Sequence, residues 1–355
     1  MSLRHSIIRK AGALALVGAV AASLAACAGS TSSTSTDATA DYGDITVQLD
    51  WLKNHEFAGV FDADDAGYFA DEGFGTVTFN AGGIGGVSAA TALTSGQAWI
   101  AFGGVADVAA ANEQGADLRI VATTYQKNPY TLVSATSDPI DTPQDLIGKT
   151  IAIADASRTS WEAFLAANDI DESQIDVVPY GDAESDLKLG NIDGFMGYGD
   201  GGAQLRADGF GAQEFLLADY GLTYGAEAVI VTADTLANEP EKIEAFLDAY
   251  AHGWYDAFQD SDHALDLVVD DYGKDQNWDK TSLELSWTQQ SKLILTDESK
   301  TNGIGTVSDD ALANNITALA LVGYDTTAED TFDTSLIADV YAQHPEWILG
   351  ADFSQ

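Results

Sequence analysis

Apolar and polar positions along the chain switch repeatedly between a two-residue and a three-to-four-residue period. Ile45 to Leu49 alternates as a half-buried strand does. Phe57, Val60, Phe61 and Tyr68 recur at helical spacing before Gly73, and Thr76 to Phe79 alternates again. The pattern continues with a helix over Val87 to Leu93, a strand at Trp99 to Phe102, a helix over Val105 to Gln114 and a strand at Leu118 to Thr123. Repeated β-α-β units predict a mostly parallel sheet with helices on both faces.

A turn-rich stretch, Ser134 to Lys149, separates this block from a second of the same kind. Its strands are predicted at Thr150–Ala154, Ile175–Val178, Ile192–Met196 and Glu214–Leu217, and its helices at Ser160–Asn168, Ala183–Leu189 and Gly202–Asp208. After Tyr220, Ala226 to Val231 reads as a strand leading into a long helix, Glu239 to Phe258. Helical runs at Ala264–Asp271 and Leu283–Leu293 follow. The economical arrangement is two α/β lobes, residues 44–133 with 223–355 and residues 134–222, the second inserted in the first. Crossing strands near Thr131–Ser134 and Glu227–Val231 would join them. Ligands of open α/β sheets bind beyond the carboxyl ends of the strands, which predicts a site in the cleft between lobes.

The N-terminus follows neither period. Arg4, Arg9 and Lys10 precede an apolar run from Ala11 to Leu24, and Leu24-Ala25-Ala26-Cys27 closes it. That is the pattern of an export signal, residues 1–27, ending in a lipoprotein-type cleavage site. The run is shorter than the roughly 18–20 residues a spanning helix needs. Cys27 is the sole cysteine, so an intrachain disulfide is excluded and lipidation of its thiol is expected. Small polar residues from Ala28 onward predict a flexible tether, residues 28–43. The body is thus expected outside the cytoplasm, lipid-anchored to the cell membrane.

Charge narrows the choice of partners. The formal net charge is −41, or −44 once the signal with its three basic residues is removed. Such a surface repels nucleic acid and anionic headgroups, and because the acidic residues are scattered they read as a solvated coat.

Several short motifs carry a resemblance: Asp50-Trp51-Leu52-Lys53-Asn54-His55-Glu56-Phe57-Ala58-Gly59, Gly67-Tyr68-Phe69, Glu72-Gly73-Phe74, Ser95-Gly96-Gln97, Asp145-Leu146-Ile147-Gly148-Lys149, Asn191-Ile192-Asp193-Gly194 and Asp219-Tyr220-Gly221. In order and spacing the chain resembles the solute-binding proteins of ABC importers. The similar branch includes the thiamine-pyrimidine and riboflavin binders and is a sister of the nitrate, sulfonate and taurine binders. The resemblance implies a two-lobed periplasmic-binding-protein-like fold of type II, with lobe 2 inserted in lobe 1 and two crossover strands. It implies a monomer that closes on a small-molecule ligand and delivers it to a membrane permease, with no cofactor, no metal and no nucleic acid. It places Trp51 and Asn54 at the mouth of the cleft and Glu227 against the amino edge of a ring. Two departures are Lys53, where relatives often have proline, and Tyr198-Gly199-Asp200-Gly201-Gly202, where many carry Asn-Glu-Pro.

The residues themselves leave alternatives open. Trp51 and Asn54 follow a predicted strand, where an indole can stack on a flat ring and an amide can pair with ring nitrogens. Equally, Trp51 could pack between helices and Asn54 could cap the helix beginning at Glu56. Glu227 lies among apolar neighbours and needs a partner, either a ligand or an internal Arg or Lys. Glycine-rich turns at Gly82–Gly86, Gly103-Gly104 and Gly199–Gly202 let backbone N–H groups approach a ligand, with Gly83 and Gly104 as candidate contacts, although tight strand-to-helix turns need glycine too. Phe57, Tyr125, Trp161 and Tyr198 complete the candidate ligand-binding set; Asn128 and Tyr130 lie beside them.

Enzyme signatures fail. Gly148-Lys149-Thr150 lacks the upstream glycine of a P-loop, that position being Pro143, and Asp62–Gly67 lacks the ligand pattern of a calcium loop. The five histidines show no paired metal spacing. The resemblance of the first-lobe motif to the pyrimidine and riboflavin binders implies a binding protein for a flat nitrogen heterocycle, and not an enzyme. A nitrate, sulfonate or taurine receptor is the alternative within the class, and an exported enzyme on the same fold is the alternative outside it.

Overall fold

The computed structural model describes residues 40–353 apart from Ile84 and Asp200. The export signal, Cys27 and most of the tether lie outside those residues. Tyr42 and Gly43 do not behave as tether: Tyr42 packs on Phe74 at 5.3 Å between ring centroids and donates its N–H to the Gly73 carbonyl, and Gly43 opens the first strand.

Among the described residues ten strands form two five-stranded sheets. The first has the order β2-β1-β3-β10-β4, from β1 (Gly43–Gln48), β2 (Phe74–Asn80), β3 (Ile100–Gly103), β4 (Leu118–Tyr125) and β10 (Ala226–Thr232). The second has the order β7-β6-β8-β5-β9, from β5 (Tyr130–Ala135), β6 (Thr150–Ile153), β7 (Asp176–Pro179), β8 (Gly194–Tyr198) and β9 (Ala212–Leu216). All strands of the second sheet fall in sequence between β4 and β10, so one lobe is inserted in the other.

The sheets are less parallel than periodicity predicts. In each, the three strands at one end pair in parallel, but β10 is antiparallel to β3 and β4, and β5 is antiparallel to β8 and β9. Alternation shows which face a residue takes but not which way a strand runs. The crossings also shift. Thr131 to Ser134 pair fully within the second sheet and Ala228 to Val231 within the first, so the chain passes between sheets at residues 126–129 and 217–225. These passages are tied together: Asn128, fully buried, donates its amide to the Tyr224 carbonyl at 3.1 Å and accepts the Tyr130 N–H.

Helices pack where their apolar stripes find a sheet. Pro240 starts the 20-residue helix Pro240–Gln259 where no N–H bond is lost, and Ile243, Phe246, Leu247, Tyr250 and Trp254 recur at helical spacing and are buried. They cover the face of the first sheet that carries Val47, Val121 and Val229. A glycine pair sets the approach of helix Ala58–Asp65: a Cβ at Gly59 would stand 2.3 Å from the Trp254 ring, and one at Gly253 would stand 2.1 Å from the Gly59 carbonyl. On the opposite face Ile120, Ala228 and Ile230 join a core that continues into the inserted lobe through Leu132, Ile151, Trp161 and Phe164. Among the described residues no helix is long and apolar enough to cross a membrane.

Candidate functional site

Four chain segments end at one rim of the first sheet. Beyond β1 the chain reaches Asp50, β3 runs into Gly104, β4 ends on Tyr125, and β10, entering from the opposite direction, starts at Ala226 paired with Tyr125. From the second sheet, β8 ends on Tyr198, which pairs with Tyr130 at the start of β5. The two rims meet: the Tyr198 hydroxyl donates to Glu227 Oε1 at 3.0 Å, and the Tyr198 ring lies edge-on to Tyr125 and Tyr130, with centroids 6.2 and 5.1 Å away.

Glu227 is the centre of this arrangement. Its side chain is 1% exposed, its backbone holds φ +48°, and its Oε2 is buried with no hydrogen-bond partner among the described residues. A non-glycine residue in that conformation costs about 1–3 kcal/mol, the kind of strain that concentrates at functional sites. Of the partners expected for Glu227, a ligand or an internal Arg or Lys, the described residues supply no cation; a tyrosine of the other lobe meets one oxygen only.

Two further carboxylates that the sequence reading passed over share this space. Asp50 is half-buried with Oδ1 inaccessible and unpartnered, and Glu56 is buried at the start of the short 3-10 helix His55–Phe57. Burial first, then the field of its neighbours, pushes Glu227 well above the usual carboxylate range, Asp50 up to about 6 and Glu56 up to about 8. Asp50 and Glu56 raise Glu227, Asp107 raises Asp50, and Asp50 raises Glu56. Burial lowers His55 to about 4, which leaves it neutral, and among the described residues no Lys, Arg or His forms an ion pair with Asp50, Glu56 or Glu227.

The remaining candidates divide. Trp51 is 39% exposed beside Asp50, so it does not pack between helices. Asn54 does cap, its Oδ1 accepting the Glu56 N–H at 2.9 Å, while its amide favours the charged form of Glu56. The segment is held from behind by Trp278 Nε1 on the Lys53 carbonyl and Gln290 Nε2 on the His55 carbonyl, at 2.8 and 3.0 Å. Tyr125 is buried with its hydroxyl unpartnered, and the field of Glu56, Glu227 and Asp50 adds to the burial that raises it. Phe57 is a core residue, edge-on to Phe102 at 5.6 Å, and Trp161 lies wholly in the core of the inserted lobe beside Phe164.

The glycine turns carry structural duties. Gly82 and Gly83 donate to the carbonyls of Trp51 and Asp50, so the turn buttresses the end of β1, and Gly83 needs its φ of +93°. Gly104 precedes helix Val105–Glu113, but the Asp107 carboxylate already lies against it, 2.7 Å from where a Cβ would stand, and the Gly104 backbone opposes the desolvation that raises Asp107. A negative group thus already sits at that helix start.

Asp50 and Glu56 escaped notice for identifiable reasons. An acid in a first helical turn is the ordinary preference of helices, and an aspartate after a strand is an ordinary turn residue. The only signal was three acids within the reach of one predicted cleft in a chain with 15 basic residues.

The two-lobed architecture, with a site built across both rims, defines the class: it is the periplasmic-binding-protein fold. The periplasmic aliphatic sulphonate binding protein SsuA of Escherichia coli superposes with a TM-score of 0.62 at 14% identity, covering 78% of this chain and 86% of that one. The desulfurization enzyme DSZB has the same fold, with a TM-score of 0.55 at 14% identity and coverage of 84% and 99%. The family model described as NMT1/THI5 like matches residues 54–264, more than half of the chain, and the protein belongs to that family. In sequence it is similar to the riboflavin-binding protein RibY of Chloroflexus aurantiacus, 29% identical over 231 residues that span 63% of this chain and 65% of RibY, just under two thirds of that relative.

Proposed function

We propose that the protein is the extracytoplasmic solute-binding component of an ABC importer. It captures a small, flat nitrogen heterocycle of the thiamine-pyrimidine or riboflavin type and presents it to a permease. One observation carries this reading: buried carboxylate oxygens of Glu227 and Asp50 lack partners at the meeting of two lobes, beside tyrosines and the exposed indole of Trp51. Unmade hydrogen bonds of buried groups cost about 1–3 kcal/mol each, which a ligand bearing N–H donors recovers. Closure moves the lobes, residues 44–133 with 223–355 and residues 134–222, about the two passages tied by Asn128. A ligand touching both rims favours the closed form by its extra contacts there. Lipidation at Cys27 tethers the body to the membrane, and it acts as a monomer.

The runner-up, a sulfonate, nitrate or taurine receptor, conflicts with the chemistry of the rim, where carboxylates face the space and Asp107 occupies the helix start at Gly104. Calorimetry on the purified body separates the readings. An aminopyrimidine or riboflavin should bind to wild type and weaken in Glu227→Gln, because the amide accepts less strongly from an amino group. Nitrate or taurine bound by wild type, and more tightly by Glu227→Gln, overturns the assignment. Turnover of the bound compound without any permease would place the protein with the enzymes of this fold.

A further inference from the structure

The heterocycle reading leaves open what charge the bound ring carries, and the inference that follows rests on that reading. Asp50 Oδ1 and Glu227 Oε2 are both buried without a donor, and Tyr198 takes up only the other Glu227 oxygen, Oε1. The two acids stand at one rim of the first sheet, Asp50 just beyond β1 and Glu227 at the start of β10, and each lies among carboxyls with no Lys, Arg or His paired to it among the described residues. Buried acids gathered without a cation disfavour full ionisation, so the pair holds a proton. Glu56, on the short helix beside them, adds a third carboxyl, and Asp107 adds its field from the helix behind Gly104. Tyr125 from β4, Tyr130 from β5, Tyr198 from β8, Tyr250 from the helix Pro240–Gln259 and neutral His55 also surround them, and none supplies a positive charge.

We propose that the site binds its ring as a cation of the amidinium type, a protonated ring nitrogen next to an exocyclic amino group, and that the proton comes from the Asp50–Glu227 pair. The ring nitrogen's lone pair takes the proton, the O–H bond of the carboxyl breaks, and its electron pair stays on the oxygen. The pair becomes two carboxylates facing two N–H donors, a charge-assisted fork in which both orphaned oxygens are satisfied. This selects among heterocycles. A ring with an aminopyrimidine edge offers two adjacent donors after protonation. The uracil-like edge of a flavin flanks its single N–H with carbonyl oxygens, which the carboxylates repel.

The test uses the hydroxymethyl aminopyrimidine of thiamine, isotopically labelled at its ring nitrogens, mixed with the full protein at an alkaline pH where the free pyrimidine is neutral. Nuclear magnetic resonance should show the bound ring nitrogen at the position of the protonated ring. Asp50→Asn should lower affinity by about tenfold or more, and unchanged circular dichroism separates this from misfolding. A pyrimidine bound tightly as the neutral ring overturns the inference and leaves the heterocycle receptor standing. Binding of riboflavin with no binding of the aminopyrimidine does the same. If neither compound binds, the heterocycle reading falls, and the inference with it.

Discussion

Glu56 provides a measurement of the site's electrostatics that needs no ligand. Its carboxyl is buried beside Asp50 and held up to about 8, against 4.5 for an ordinary glutamate, so the folded protein binds a proton there more tightly than the unfolded chain. A group raised in this way contributes stability that is fully present below its unfolded pKa and is lost as pH climbs through its folded one. In the window from about 4.5 to 8 each pH unit removes about 1.4 kcal/mol, so at pH 7 the loss approaches roughly 3 kcal/mol. Glu56→Gln keeps the size and removes the titration. Urea unfolding of wild type and variant should therefore give equal stabilities near pH 4 and a variant more stable by up to about 3 kcal/mol near pH 7. A difference that does not change with pH, or a variant less stable at neutral pH, would refute the argument that Glu56 sits uncompensated among carboxylates.

Two other outcomes follow from exposure and from the N-terminal pattern. Trp51→Ala should cost binding about 2 kcal/mol or more while leaving unfolding nearly unchanged, because its 39%-exposed ring contributes little to the core; calorimetry and a melting curve on the same sample check both halves. Cys27→Ser should abolish lipidation and move the protein out of the membrane fraction or leave its signal uncleaved; identical partitioning and mass for the two forms would disprove the anchor.

Much of the fold was legible in the chain. Each predicted strand of the two blocks has a counterpart in the sheets, often within two residues, because alternating apolar positions such as Ile45 and Val47 have one way to be half-buried. The nesting of one lobe in the other followed from the order of the blocks. Strand direction did not: β5 and β10 are antiparallel to their neighbours, a relation set by where the chain re-enters each sheet after crossing. The site was legible only in part. Glu227 stood out as an acid in an apolar strand, and Trp51 as an aromatic at a strand end.

The sequence by itself determined the periods, the elements they build and the shortage of basic residues that leaves buried acids without salt bridges. Only the tertiary structure decided which acids meet. Asp50, Glu56 and Glu227 are separated by up to 177 positions, and each has a local explanation as a turn residue, a first-turn acid or a strand acid. Their shared field exists because β10 enters the first sheet antiparallel, between β3 and β4, and delivers Glu227 to the rim where β1 leaves Asp50. Burial and Coulomb repulsion depend on distances through space, and a pattern read along the chain contains none of them.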